Sequence, residues 1–362
     1  MSVSASPAPA PVRPRNRRLR IPQLVAIGVL LLFLAGAPTL FSDFIISQIL
    51  VKALWLGIAA ASLIFLSSYG GMVSLGQTGL FAVAGFTMAN LVHAAGGRNL
   101  GWDPLLAVVV GIAVATLFGL LCGAIAARSY GIYFLMITLA VSVIVFYFFG
   151  QATPLAGYGG IRNVTPPALI GDAITNPVPL YYVALVSSIL VYAGVRYLGR
   201  TPFGLVLQGI RDDPDRMRAL GFNVPLHRTL AFGVGAFIAA IAGVLSVWYT
   251  TQISPGSVNL AQTINILVIA VIGGLYRLEG AWIGSIVFAT IDNYSRIYIP
   301  SYGDWLGPDR FATVIGLIFL VIVLVSPGGL AGIWESIWAR RRRQVERPFE
   351  VRTAEAGEDA VE

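Results

Sequence analysis

The chain is poor in charge, cysteine, histidine and lysine, and each shortage excludes something. Only 11% of its 362 residues are charged, against about a quarter in a soluble globular domain, so a water-soluble fold is excluded. The single cysteine, Cys122, lies in an apolar run, and no internal disulfide or cysteine-based metal site can form. The two histidines, His93 and His227, belong to no HExxH pattern, and neither a GxSxG turn nor paired carboxylates fall inside an apolar run. Intramembrane hydrolysis therefore lacks its nucleophile and its metal ligands. All but one of the 24 basic residues are arginine, and the lone lysine, Lys52, follows Val51. A Walker loop needs a lysine after glycine, so the chain cannot hold ATP by that device. The polar–apolar alternation that marks a membrane barrel strand is also missing.

What is present is apolar length. Hydrophobic residues make up 57% of the chain, and they recur in runs of the ~20 residues that a membrane helix requires. The runs fall at roughly 21–41, 44–66, 72–92, 105–127, 130–149, 179–198, 229–250, 263–275, 281–295 and 311–330. They predict an all-α integral membrane protein of about ten transmembrane helices. The first run is longer than the core of a secretory signal, which favours a retained span over a cleaved leader. Arginines gather at Arg13 to Arg20, Arg196 to Arg228 and Arg340 to Arg352. Because cytoplasmic loops retain positive charge, both termini are expected inside, with 93–104, 150–178, 251–262 and 296–310 outside. The expected layout is a disordered basic N-terminus over 1–20, a transmembrane domain over 21–338, and a cytoplasmic tail over 339–362. Lys52 is expected at the interface, with its span starting just after it.

One interior segment, Gly199 to Phe232, is not apolar. Asp213 suits a helix N-cap and Pro214 the first helical position. Gly221 can end that helix in the left-handed conformation, and Pro225 is expected to stop it from resuming. The result is a short capped helix of about two turns, with Met217 and Leu220 on one face. Such a helix is marginal alone and calls for a surface to pack on. Since the chain has no ATP site and few intramembrane charges, a separate driving subunit could grip it here. Inside the spans, Gln77, Thr78, Tyr133, Thr138 and Asn265 outline a mildly polar, uncharged interior suited to a small solute. Each of these side chains could equally be bonded within its own helix, and the glycines around them could serve packing alone.

Three stretches and the loop together resemble a known family. They are Ile210-Arg211-Asp212-Asp213 with Ala219-Leu220-Gly221 and Leu230-Ala231-Phe232; Tyr69 to Gln77; Gly131 to Ala140; and Ser254-Pro255 leading to Val271-Ile272-Gly273-Gly274. In order and spacing they are similar to the branched-chain and hydrophobic amino acid permeases of ABC importers, and to the M-type member of the paired permeases in particular. The resemblance implies a type II importer-like permease and a transport subunit rather than an enzyme. Its partners would be a second permease, two ATPase subunits that carry ATP and Mg, and a periplasmic solute-binding protein, in the bacterial inner membrane. It also implies that 199–228 is the coupling loop, with Arg211, Asp212, Asp213, Arg216, Met217, Ala219, Leu220 and Gly221 facing the ATPase. The chain departs from the family at Gln77, where histidine is common, and at Gly273 to Gly280, where bulk and charge enter the turn. Relatives carrying urea, short amides or small carboxylates keep the solute open. An ion-coupled carrier is the rival from another class.

Overall fold

The computed structural model describes residues 33–298 apart from 156 and 172–174, together with 316, 317 and 329. Residues 1–42 and 43–362 form separate units. In the first, 33–40 are helical, which is the described part of the expected first span. The expected span 311–330 lies almost wholly outside the described residues, as do both chain ends.

The second unit is built on ten helices among the described residues, named here α1 to α10: α1 (Asp43–Gly70), α2 (Gln77–Leu91), α3 (Pro104–Ala126), α4 (Gly131–Gln151), α5 (Val178–Leu198), α6 (Pro202–Asp212), α7 (Pro214–Ala219), α8 (Val224–Thr250), α9 (Leu260–Gly273) and α10 (Gly280–Tyr298). Helices α1, α3, α4, α5 and α8 are long and apolar enough to cross a membrane, and so is α9 with its leading turn, Pro255–Gly273. These six correspond to the expected spans 44–66, 105–127, 130–149, 179–198, 229–250 and 263–275. Helix α10 takes the place of 281–295. The expected count of ten transmembrane helices is therefore not reproduced as such.

The centre of the bundle is α1 and α8, whose residues are buried along most of their length. By contrast α3 and α4 leave most of their span uncovered. Small residues let the central backbones approach: an added Cβ at Gly111 of α3 would stand 2.9 Å from the Ala84 carbonyl of α2.

The expected span at 72–92 is corrected. Gly71 takes φ +64 and caps α1, and its neighbours to Gly76 run without helix before α2 begins at Gln77. A side chain at Gly71 would be strained by the left-handed backbone and would also meet Arg211 Cγ at 2.7 Å. The chain thus turns back into the bundle as a non-helical stretch. Ser62 donates to Gln77 Oε1 at 3.0 Å. Ser62 lies eight residues before the end of α1, about 12 Å at 1.5 Å per residue. Helix α2 therefore starts well inside the bundle, and its 15 residues are too few for a full span.

At the opposite end, three segments expected outside meet. Strand β1 (Ile161–Arg162) pairs antiparallel with β2 (Gln252–Ile253), and Ala95 bridges to Arg162. Thr165 donates both its N–H and its hydroxyl to the His93 carbonyl. Residues 93–104, 150–178 and 251–262 are thereby tied at one end of the bundle.

Candidate functional site

The segment at 199–232 holds two helices before α8, not one. Thr201 accepts from the Gly204 N–H and opens α6, and Pro202 fits the first turn. Leu207 and Ile210 are buried against the bundle. This amphipathic helix was not foreseen. Its signal, Thr201-Pro202 followed by apolar residues three apart, is as legible as that of α7.

Helix α7 forms as its end residues dictate. Asp213 Oδ1 accepts from the N–H groups of Asp215 (3.1 Å) and Arg216 (2.9 Å), and Gly221 has φ +89. Phe222 N–H returns to the Met217 carbonyl at 3.1 Å and closes the helix end. Pro225 does not stop helix formation: it occupies the first turn of α8, with Asn223 as cap. Leu220 is 65% exposed and Phe222 38%, so both project from the tip. Met217 points the other way, since a Cβ on Gly209 would stand 2.8 Å from its Sδ. The expected shared face of Met217 and Leu220 is corrected accordingly. Arg216 and Ala219 are exposed, Asp212 pairs with Arg211 at 2.8 Å, and Arg218 pairs with Asp215 at 2.8 Å.

Arg211 links this elbow to the bundle, because its Nη1 donates to the Ser68 carbonyl near the end of α1. Arg228 goes further. Expected among the solvated arginines, it is 3% exposed inside the first turns of α8. Its Nη1 donates to the Ala127 carbonyl at 3.0 Å, its Nε contacts Met72 Sδ at 3.1 Å, and the guanidinium lies 4.3 Å from the Tyr130 ring centroid. One cation thus joins the ends of α3 and α4 to the non-helical stretch before α2.

That stretch is held by hydroxyls on α4. Thr138 Oγ1 accepts from the Leu75 N–H at 3.1 Å. Ser142 Oγ donates to the Leu75 carbonyl at 2.8 Å and accepts from the Gly79 N–H at 3.2 Å. Gln77 and Thr78 are buried, and Gln77 Nε2 and Thr78 Oγ1 have no hydrogen-bond partner among the described residues. Asn265 is half-buried on α9, and its amide donates to Gln262 at 3.4 Å. Tyr133 is 71% exposed on α4 and does not belong to the interior group. Gln77, Thr78 and Thr138 come together; Tyr133 and Asn265 do not join them.

Two charged clusters sit elsewhere. Lys52 Nζ lies 2.5 Å from Asp292 Oδ2, with the side chains 21% and 8% exposed. Lys52 is nine residues into α1 and pairs across the bundle with Asp292 of α10. At the turn after α9, Glu279 accepts from Tyr192 Oη at 2.9 Å and faces Arg196 at 3.5 Å. The departure from the family pattern there is absorbed by α5. Among the described residues no group of three or more His, Cys, Asp or Glu could hold a metal ion.

Apolar helices of spanning length, a broken helix starting inside the bundle, and an amphipathic elbow define a multi-pass α-helical membrane protein. The chain belongs to the family described as branched-chain amino acid transport system / permease component, whose model matches residues 45–325. It is 26% identical over 284 residues to the high-affinity branched-chain amino acid transport system permease protein LivM of Escherichia coli K12, covering 72% of this chain and 64% of that protein. It is 27% identical over 236 residues to the probable branched-chain amino acid transport permease protein LivM of Methanocaldococcus jannaschii, covering 62% and 66%. The probable LivH permease of the latter organism matches at 27% over 143 residues, 39% of this chain and 44% of that protein. The M-type resemblance therefore holds. The matched stretch spans just under two thirds of the length of the LivM relatives. No solved structure matches the chain.

Proposed function

We propose that this chain is the M-type permease subunit of an ABC importer for branched-chain or other hydrophobic amino acids. The observation that carries this reading beyond the family is the exposed tip of α7. A six-residue helix capped at both ends is too short to bend, and it offers Leu220 and Phe222 to a partner while Arg211 ties its base to α1. An ATPase groove that seats this tip would transmit its movement to the end of α1 and, through Gly71, to the stretch before α2. Arg216, Asp212 and Ala219 would form the rim of that contact.

The driving chemistry lies in partners. Two ATPase subunits would bind ATP and Mg, a second permease would complete the path, and a periplasmic binding protein would deliver solute, in a type II importer arrangement in the inner membrane. The tying of 93–104, 150–178 and 251–262 at one end supports an outward face there, with 199–228 and both termini in the cytoplasm. Gln77, Thr78, Thr138 and Asn265 are the polar groups placed along or beside the route. The test is reconstitution: the chain with its second permease, ATPases and leucine-loaded binding protein should drive ATP-dependent leucine uptake into vesicles. Uptake by this chain alone on a proton or sodium gradient would refute the reading.

A further inference from the structure

Three cavities among the described residues are lined largely by residues of the long apolar helices, and they differ in chemistry. Two of them, about 490 and 510 Å³, are lined mainly by apolar side chains of α2, α3, α4, α5 and α8 and match lipid chains. The third, about 310 Å³, lies between α4 and the segment Pro255–Gly273 and is mixed. Leu139, Val143, Phe146, Val258 and Leu260 form its apolar lining. Ser142, Tyr147, Asn259 and Thr263 form its polar lining. No charged residue lines it.

We infer that this groove is a solute-binding site for a zwitterionic amino acid with an aliphatic side chain. The inference rests on the importer reading above and assigns the solute's place within it. The volume falls near the lower end of the roughly 300–1,000 Å³ that small-ligand sites span, which suits a single amino acid. The lining suits one too. An aliphatic side chain gains from leaving water, while the Tyr147 hydroxyl can accept from an ammonium and the Asn259 amide can donate to a carboxylate, the two charges neutralising each other. A fixed charge in the wall would instead bind one end of the zwitterion too tightly for release. Lipid would gain nothing from those polar groups.

Two further observations locate the groove on a route. Ser142, on its wall, bonds on both sides of the helix break, donating to the Leu75 carbonyl in the non-helical stretch and accepting from the Gly79 N–H in the first turn of α2. Occupation of the groove is therefore one side chain away from the break between α1 and α2, which Arg211 and Gly71 tie to the α6–α7 elbow. In addition, the groove opens on an exposed stripe of α4, Tyr133, Met136, Ala140, Val143 and Tyr147, at helical spacing. Tyr147, facing outward on the groove's wall, would complete a wet cavity with a second permease, while Tyr133 lies on the same stripe about 21 Å away along α4.

The test uses the assembled complex in a Cys122→Ala background. Val143→Cys should react with a charged, water-soluble methanethiosulfonate added from the outer side about tenfold faster than Val109→Cys, which is 67% exposed on α3 outside the groove. Turnover with leucine should slow that reaction. Val143→Trp, which fills the groove, should cut leucine uptake about tenfold or more while the complex purifies intact. If Val143→Trp fails to assemble, Tyr147→Phe decides instead, with a loss of about tenfold expected. Equal labelling of Val143→Cys and Val109→Cys overturns the inference, as does wild-type uptake by the filling variant or its substitute. A wild-type complex with no ATP-driven leucine uptake would refute the transport reading instead, and the labelling comparison would still judge the groove.

Discussion

Breaking the Lys52–Asp292 pair should reveal how strongly one ion pair holds α10 to α1. The two groups are 240 residues apart in sequence and meet at 2.5 Å, with little solvent at either. Removing one partner of a buried pair costs about 3–5 kcal/mol, because the survivor keeps its desolvation penalty and loses its counter-ion. At about 1.4 kcal/mol per decade, that is two to three-and-a-half decades in the unfolding constant. The two single variants should differ. In Asp292→Ala the lysine stem can carry its ammonium toward the Asp43 end of α1, so the loss should lie near ~3 kcal/mol. In Lys52→Met the carboxylate is 8% exposed on a short side chain that cannot follow, and the loss should approach ~5 kcal/mol. The apolar double variant Lys52→Met/Asp292→Leu should return to within about 1 kcal/mol of wild type, since no uncompensated charge remains. Unfolding by denaturant in lipid–detergent micelles, followed by the fluorescence of tryptophans such as Trp55 and Trp282, measures all four proteins. Losses in the single variants that simply add in the double variant would refute the reasoning, as would single variants within ~0.5 kcal/mol of wild type.

Other outcomes follow from the elbow and its anchor. Leu220→Glu leaves the isolated chain folded, because the side chain is already 65% exposed; in the complex it should reduce ATPase co-purification or uncouple hydrolysis from uptake, and unchanged values for both would remove α7 from the coupling role. Gly221→Val should cost about 1–3 kcal/mol through backbone strain alone, since φ is +89 and nothing stands within 4 Å of an added Cβ; Gly221→Asn should recover most of it in a melting experiment. Arg228→Leu should lower stability by about 2–3 kcal/mol by deleting the Ala127 bond and the contact with the Tyr130 ring, measured as a lower melting temperature in detergent. Leu169, 77% exposed at the β1–β2 end, should label from outside intact cells as Leu169→Cys in a Cys122→Ala background; labelling only after permeabilisation would invert the topology.

What the sequence determined by itself are the features settled within a few neighbouring residues. Apolar length specified membrane helices because each ~20-residue run satisfies its own backbone. Asp213, Pro214 and Gly221 specified α7 because capping is a contact between residues two or three apart. The same chemistry at Thr201 would have given α6. Tertiary structure decided the rest. It turned Met217 toward Gly209 and Tyr133 outward, buried Arg228, paired Lys52 with Asp292, and folded the stretch after Gly71 back into the bundle. The physical reason is that these helices are apolar all round. In water the polar face of a helix announces which side is covered, but a lipid-facing leucine and a core leucine read alike. Which face is buried, and which distant partner meets a lone charge there, is fixed only when the helices pack.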